Sequence, residues 1–199
     1  MKQVLIETQL FKPSKGLLSE GKMSERGNPL VEGILATCEV ENGNGRYYSK
    51  DLWEREIDKY MELVRDNRAT GELDHPESQV INLKNVSHNI KDINWDGKNI
   101  MGTIELLPTP SGNILKALID SGITVGVSSR GMGSLEQKGE LMEVQDDFEL
   151  LCWDFVSTPS NPGSFMTLKE GKENNINQYA KANSIVTEIL CANGNCPIF

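Results

Sequence analysis

The chain has 199 residues, and its 38% of hydrophobic residues is enough apolar material for one domain with a real core. Its 29 acidic residues outnumber the 20 basic ones and give a net charge of −9, so it lacks the cationic surface that favours nonspecific binding to nucleic acid or anionic membranes. The first apolar run is broken by Glu7, and no stretch approaches the length of a membrane span. We expect a cytosolic protein whose partners are neither nucleic acid nor membrane.

Metal and disulfide chemistry find little support in the sequence. The chain contains two histidines and no H-E-x-x-H motif, which leaves too few metal ligands at suitable spacing. Its four cysteines lack the paired spacing of a zinc site. We therefore expect reduced thiols, with Cys191 and Cys196 left open as an exception, and no metal or other cofactor.

The N-terminal half of the chain is predicted to begin with a loosely held segment. Residues 1–28 are rich in Gly, Ser, Lys and Pro, so we place the start of the domain at Pro29. The stretch "LVEGILATCEV" then predicts a strand, and "ENGNGRYY" predicts a turn. Ser49 is expected to cap an amphipathic helix that leads into the loop "RATGELDHPES".

The middle of the chain is predicted to be mainly β. Apolar residues alternate from Val86 onward and slip in phase at Asp92, which indicates a bulge, and "WDGKN" predicts a hairpin turn before "IMGTIEL". The stretch "TPSGNILKALIDSG" predicts a second helix that stops at Gly122. Three further strands are expected in "ITVGVSS", "ELMEV" and "FELLCWDFV".

These elements favour an α+β fold over a doubly wound one, because the strands follow one another and are joined by hairpins. We predict a mainly antiparallel, barrel-like β-sheet surrounded by helices, formed by residues 29–170. Residues 171–199 carry only two basic and two acidic residues and begin with the polar run "GKENNINQ", so we interpret them as an appended tail.

The two histidines have different surroundings. His75 lies in "GELDHP", in a loop between helix and strand, where functional groups concentrate, although the same residues are also typical of a simple turn. His88 alternates with apolar neighbours, which favours a structural or surface role.

The stretch "GVSSRGMGS" ends an apolar run with Ser128, Ser129 and Arg130 beside two closely spaced glycines. A serine nucleophile needs a base, which His75 could provide, and an acid to orient that base. Acidic residues that could supply this group are Asp146, Asp147, Glu149 and Asp154. The glycines predict a flexible turn whose N–H groups, helped by Arg130, would stabilise an oxyanion. A glycine-rich strand end with incidental serines explains the stretch equally well.

The motifs "GELDHP" and "GVSSRGMGS" follow one another about fifty residues apart. Together with "VEGILATCEVENGNGRYYSKDL" and "DFVSTPSNPGSF", they resemble the prohead core protease of T-even-type tailed bacteriophages. This is a serine endopeptidase family whose fold is similar to assemblin, the herpesvirus maturation protease. The resemblance covers residues 29–166 and implies a herpesvirus-protease-like fold.

The resemblance also implies roles for individual residues. His75 would be the general base and Ser128 the nucleophile, with the oxyanion site at Arg130 and Gly131. Herpesvirus proteases use a second histidine as the third member, and this chain has no histidine after residue 88. The resemblance places Asp154 there; the alternative is a solvent-facing strand residue.

The substrates implied by the resemblance are scaffold and major capsid proteins inside the immature head in the host cytoplasm, cleaved after Glu in a Leu/Ile-x-Glu pattern. The chain has this pattern itself at Glu20 and Glu170, near its compositional boundaries, which suggests a zymogen that trims itself to residues 21–170. The pattern recurs at Glu7 and at Glu143, the latter within a predicted strand, where folding should protect it. By analogy with the herpesvirus enzyme we also expect a homo-oligomer.

Two other functions stay open. One is a non-catalytic scaffold or capsid-assembly protein that retains the fold. The other is a different serine hydrolase, such as an esterase. An esterase elbow would read G-x-S-x-G, whereas this chain has G-x-S-x-x-G from Gly126 to Gly131.

Overall fold

A computed structural model describes residues 2–10, 23–74, 78–139 and 141–157. Within these ranges the elements are, in chain order, β1 (Gln3–Leu10), β2 (Leu30–Thr37), β3 (Arg46–Tyr47), α1 (Lys50–Arg65), β4 (Thr70–Glu72), β5 (Val86–Asp96), β6 (Asn99–Leu106), α2 (Pro110–Asp120), β7 (Gly126–Gly133), β8 (Leu135–Lys138), β9 (Leu141–Val144) and β10 (Glu149–Val156). Neither helix is long and apolar enough to cross a membrane.

The strands form three sheets in the described part of the chain. Their orders are β1-β7-β10, β2-β6-β5-β4 and β3-β9-β8. Every pairing is antiparallel except that of β3 with β9. The mainly antiparallel α+β class is therefore confirmed. A closed barrel surrounded by helices is not, because the described strands form three separate sheets and only two helices accompany them.

Both helices begin where the sequence predicts. The Ser49 hydroxyl accepts a hydrogen bond from the Leu52 N–H at 3.2 Å, and the Thr109 hydroxyl accepts one from the Gly112 N–H at 3.0 Å. Each cap satisfies an N–H that has no partner within its helix. Gly122, at φ 74°, follows the end of α2 as predicted.

The β5–β6 hairpin also follows the prediction. Its register shifts between Ile90 and Asp92, at the bulge that the phase slip indicates, and Gly97 occupies the turn at φ 60°.

An aromatic cluster joins α1 to the sheet that contains β7. Trp53 on α1 stacks on Trp153 of β10 with ring centroids 6.1 Å apart, and Tyr60 meets Trp153 edge-on at 4.9 Å. Phe148 packs edge-on against Trp53 at 5.8 Å. Each of these rings buries a large area, and aromatic pairs favour stacked or edge-on arrangements. The cluster therefore fixes the position of α1 against β10.

The N-terminal segment differs from the expectation of a loose lead-in. Residues 3–10 form β1, which pairs antiparallel with β7 along its whole length, and Leu5 is only 1% exposed. The short apolar run of β1 is followed by a long polar stretch. Because the composition of residues 1–28 was judged as a whole, the strand at its start was not predicted.

Strand β7 is regular from Gly126 to Gly133, so the predicted flexible turn after Arg130 is wrong. A Cβ added at Gly131 would lie 2.4 Å from Phe148 Cε2 and 2.7 Å from the Glu149 carbonyl oxygen. A Cβ at Gly133 would lie 3.1 Å from the Phe148 Cα. These glycines therefore allow Phe148 to pack closely on the strand.

Gly131→Ala should lower the free energy of unfolding by about 1–3 kcal/mol, because the methyl group overlaps the Phe148 ring. The matched control is Gly133→Ala, whose methyl group meets its neighbours at longer distances and should cost less. Urea unfolding of both variants measures the difference. Equal costs would show that the approach of Phe148 does not explain Gly131.

Candidate active site

The pairing of β7 with β10 determines which side chains meet. Asp154 lies opposite Ser128, and Cys152 lies opposite Arg130. Because alternate residues of a strand point to opposite faces and paired residues share a face, these four side chains lie on one face of the sheet. Ser129 points to the other face. Only Ser128 of the serine pair therefore shares a face with Asp154.

Ser128 is completely buried, and its Oγ has no hydrogen-bond partner among the described residues. A buried hydroxyl without a partner is uncommon, because burial removes its bonds to water without replacing them. The hydroxyl therefore retains capacity both to donate a proton and to accept one.

His75, with Pro76 and Glu77, lies outside the described residues. The described residues on both sides of this gap are anchored to the strands that carry Asp154 and Ser128. The Asp74 N–H donates to the Phe155 carbonyl at 2.7 Å, and the Ser78 carbonyl accepts from Arg130 Nη1 at 2.6 Å. The described residues that flank the gap are thus anchored to β10 before it and to the β7 side chain Arg130 after it.

A buried ion-pair cluster lies beside Ser128. Arg130 Nε is 2.9 Å from Asp154 Oδ2, and Arg130 Nη2 is 3.0 Å from Glu72 Oε1. All three side chains are at most 1% exposed. With both carboxylates ionised, the cluster carries one more negative than positive charge, and this excess would be offset by a cation placed beside it.

Asp154 is therefore not a solvent-facing strand residue. Its Oδ1 accepts from the Glu72 N–H at 2.9 Å and lies 3.2 Å from Arg130 Nη2. Burial raises the pKa of this carboxyl above its usual range, against the opposing effects of the Glu72 N–H and the Arg130 guanidinium. The partners of Asp154 therefore offset part, but not all, of the cost of burying its charge.

Glu72 is a member of this cluster that the sequence reasoning missed. It is completely buried, Oε1 also accepts from the Asn82 N–H at 3.0 Å, and Oε2 has no partner among the described residues. The sequence feature that could have revealed Glu72 is its place in "GELDHP", three residues before His75. The structure places it at the end of the three-residue strand β4.

The two residues expected at the oxyanion site are placed differently. Arg130 is on the Ser128 face, but its guanidinium is occupied by the two carboxylates. Gly131 is three residues from Ser128 along a regular strand, so their Cα atoms are about 10 Å apart. The structure does not bring Gly131 to Ser128.

The second histidine, His88, has a structural role. Its ring is buried, with Nε2 3.0 Å from the Trp153 carbonyl oxygen and Nδ1 2.9 Å from Ser87 Oγ. Because a carbonyl oxygen only accepts, Nε2 carries the proton and Nδ1 accepts from the hydroxyl. Burial lowers the pKa of His88 to about 4, so the ring is neutral at pH 7.

Two of the four cysteines lie in the described part of the chain. Cys38 and Cys152 are both buried free thiols, and Cys191 and Cys196 lie outside the described residues. Burial raises the pKa of the Cys152 thiol, and the nearby Asp154 raises it further. Cys152 therefore stays protonated and does not compete with Ser128 as a nucleophile. Within the described ranges, no group of three or more His, Cys, Asp or Glu side chains is arranged to hold a metal ion.

An apolar cavity of about 370 Å³ opens beside the start of the His75 loop. Its lining includes Leu73, Asp74, Leu118, Ile123, Phe155 and Val156. The described site therefore combines a buried polar face with an adjacent apolar pocket, which suits the backbone and side chains of a peptide.

Arg130→Met should lower the free energy of unfolding by about 3–5 kcal/mol, because it leaves the Glu72 and Asp154 carboxylates buried without a cation. Arg55→Met is the control, since Arg55 also pairs with a buried glutamate but is itself 35% exposed. Urea unfolding followed by tryptophan fluorescence compares the two. Equal losses would contradict a special role of the Arg130 cluster.

His88 should make the protein less stable in acid. Its pKa is about 4 in the folded protein and about 6.5 when unfolded, so the unfolded chain binds more protons between these values. The contribution of His88 is complete above pH 6.5 and is lost as the pH falls towards 4. Urea unfolding of wild type and His88→Gln at several pH values should give a difference that shrinks towards acid pH. A constant difference would contradict this assignment.

Comparison with known proteins places this chain in a family. Residues 7–176 match the family model described as "Prohead core protein serine protease". The prohead core protein protease of Enterobacteria phage T4 is 35% identical over 145 residues, which are 70% of this chain and 68% of that protein. The solved structure of the bacteriophage T4 capsid assembly protease, gp21, superposes with a TM-score of 0.71 at 29% identity, over 79% of this chain and 99% of that one.

The family match begins within β1, in agreement with the pairing of β1 and β7. Sequence, fold and site lead to one conclusion: the chain belongs to the prohead core protein serine protease family and is a peptidase of the bacteriophage T4 capsid-assembly type.

Proposed function

We propose that this chain is a prohead maturation endopeptidase with Ser128 as nucleophile, His75 as general base and Asp154 as the acid. Its substrates are the scaffold and major capsid proteins of the immature head, where it acts as a homo-oligomer within the host cytoplasm. The observation that carries the proposal is the pairing of Ser128, whose Oγ is free of described partners, with the buried Asp154 on the neighbouring strand.

The anchoring of the residue before His75 supports the proposed role of this histidine. Asp74 is bound to Phe155, which directly follows Asp154 in β10. Asp74 directly precedes His75 in the sequence, so the chain enters the segment that carries the proposed base from a point beside the proposed acid. A catalytic histidine must reach both the nucleophile and the acid, and an entry point beside the acid is compatible with that requirement.

The proposed reaction has two halves. His75 takes the proton of Ser128 as Oγ attacks the substrate carbonyl carbon, and it then gives that proton to the leaving amine as the peptide C–N bond breaks. Water, deprotonated by His75, releases the acyl group and restores the Ser128 hydroxyl. While His75 is protonated, its charge offsets the excess negative charge of Glu72 and Asp154 over Arg130, which favours the transition state.

Arg130 contributes chiefly through its charge. Its guanidinium lies on the Ser128 face, so its field stabilises an oxyanion formed there, and it also fixes the Asp154 carboxylate. A hydrogen bond from the Gly131 N–H to the oxyanion requires β7 to change shape when substrate binds.

Cleavage after Glu in a Leu/Ile-x-Glu pattern completes the proposal, and it includes the chain itself. Glu20 and Glu170 lie outside the described residues. Glu143 has the same pattern but lies in β9, which is paired on both sides by β3 and β8, and a paired strand resists proteolysis. Trimming after Glu20 and Glu170 leaves the folded domain connected and separates β1 from it.

Ser128→Ala should abolish this activity, with a loss of about 10⁴-fold or more in the cleavage rate of a Leu-x-Glu-Gly peptide. Ser129→Ala, whose side chain points to the opposite face, should continue to cleave. Intact mass after equal incubation should show loss of the segments outside residues 21–170 in wild type and in Ser129→Ala only.

Each other result counts against part of the proposal. Equal trimming in Ser128→Ala would exclude Ser128 as the nucleophile. A wild-type chain that stays intact and cleaves no peptide, even when assembled with scaffold and capsid proteins, would favour a non-catalytic assembly role.

A further inference from the structure

The two cleavage sites proposed at the ends of this chain continue with the same two residues. Residues 18–22 read Leu-Ser-Glu-Gly-Lys, and residues 168–172 read Leu-Lys-Glu-Gly-Lys. The whole chain has three Gly-Lys pairs, and two of them directly follow a Leu/Ile-x-Glu pattern. Both segments lie outside the described residues, so they supply a clue of sequence alone. The clue is a lysine at the second position after the scissile bond.

The apolar cavity of about 370 Å³ lies close to the proposed nucleophile along β10. Asp154 is opposite Ser128, and Val156, two residues further along the strand, lines the cavity. Alternate residues of a strand share a face and lie about 7 Å apart, so the cavity begins one side-chain position beyond Asp154, on the Ser128 face. Two residues of an extended peptide span the same distance.

The cavity lies on the side of the site to which the leaving half of a substrate belongs. In the proposed reaction His75 gives its proton to the leaving amine, so the residues after the scissile bond are next to His75. Asp74, the residue before His75, lines the cavity, and its N–H donates to the Phe155 carbonyl at 2.7 Å. The second residue after the scissile bond is therefore within reach of this cavity.

The lining of the cavity combines apolar walls with one carboxylate. Phe155 and Val156 are at most 5% exposed, whereas Asp74 is exposed. Among the lining residues that the structure describes, Asp74 alone carries a charge. Its φ of 62° is unusual for a residue other than glycine, and such backbone conformations cluster at ligand sites.

A lysine side chain has the matching chemistry. Its four methylene groups pack on apolar surface while its ammonium group stays near water, where a carboxylate can pair with it. A second attraction comes from the buried cluster nearby, in which Glu72 and Asp154 carry one more charge than Arg130 offsets. An acidic side chain at this position would be repelled by the same groups.

We propose that this cavity is the subsite for a lysine at the second position after the scissile bond, with its methylene groups against the apolar walls and its ammonium group at Asp74. This inference rests on the proposed function and concerns a peptide supplied by a separate substrate molecule. It extends the recognised sequence from Leu/Ile-x-Glu to Leu/Ile-x-Glu-Gly-Lys.

The test is a competition between two peptides for the full-length protein. One peptide has the sequence of residues 17–24, Leu-Leu-Ser-Glu-Gly-Lys-Met-Ser, and the other has norleucine in place of its lysine. Norleucine keeps an apolar stem and lacks the charge, so kcat/KM should be about fivefold higher for the lysine peptide. Glutamate at this position should be cleaved more slowly than norleucine. Equal rates for lysine and norleucine would overturn the inference.

Asp74→Asn should reduce the preference for lysine over norleucine to about one, because it removes the charge and tolerates the same backbone conformation. The matched control is Asp120→Asn, which removes an exposed carboxylate at the end of α2 that pairs with Lys116 and does not line the cavity. Both peptides compete for the same folded molecules, so a loss of folded protein cancels in the ratio. An unchanged ratio in Asp74→Asn, or an equal decrease in Asp120→Asn, would contradict the role of Asp74.

The apolar walls can be tested in the same way. Norleucine should be preferred over alanine about tenfold, because it buries more methylene groups. Ile123→Ser should narrow this preference, and Ile123 is 51% exposed, so the substitution spares the core. Equal cleavage of the alanine and norleucine peptides would place the side chain outside the cavity.

The subsite and the proposed function can fail separately. Binding of the same peptides, labelled with a fluorophore, to the full-length Ser128→Ala chain is followed by anisotropy. A lysine preference in binding, without any cleavage by the wild type, would retain the subsite and disprove the protease function. Cleavage that depends on Ser128, without a lysine preference, would disprove the subsite and leave the protease function in place.

Discussion

The pairing of Arg130 with two carboxylates is the interaction on which the arrangement of the site depends. The guanidinium joins β7 to Asp154 on β10 and to Glu72 on β4, and it also binds the carbonyl of Ser78 beyond the loop of His75. Buried charges are tolerated only when they are paired and hydrogen-bonded, so the three elements must keep one relative position. Relative to apolar side chains of similar volume, a complete buried ion-pair cluster contributes little net stability, so its main effect is to fix the geometry around Ser128.

The two faces of β7 have different surroundings. On one face, Ser128 and Arg130 meet Asp154, and Arg130 also binds the Ser78 carbonyl; the proposed bond breaking takes place on this face. On the other face, Ser129 lies near Glu7, whose carboxylate accepts hydrogen bonds from Asn42 and Tyr48. Successive side chains of β7 point to opposite faces, so one strand contributes to two different environments. This explains why two adjacent serines differ completely in their surroundings.

The sequence predicted local features better than contacts between distant residues. The caps at Ser49 and Thr109 and the bulge near Asp92 were predicted because each depends on a few neighbouring residues. The regular course of β7 through Gly131 was not, since it depends on Phe148 packing on the strand from another part of the chain. The partners of Asp154 could not be predicted from the sequence either, because the periodicity of apolar residues does not show which charged side chains meet across strands. The resemblance to a family named Ser128 and Asp154 as candidates, and the register of β7 and β10 shows that they lie opposite each other.

The N-terminal strand covers one edge of β7, the strand that carries Ser128. With β1 in place, β7 has a partner on each side; without it, β7 would present a row of unpaired N–H and C=O groups. Exposed edges of this kind pair readily with other chains. If the proposed trimming after Glu20 released β1, this edge of β7 would be open to pairing with other chains. The trimmed enzyme would then be more prone to aggregate than the full-length chain.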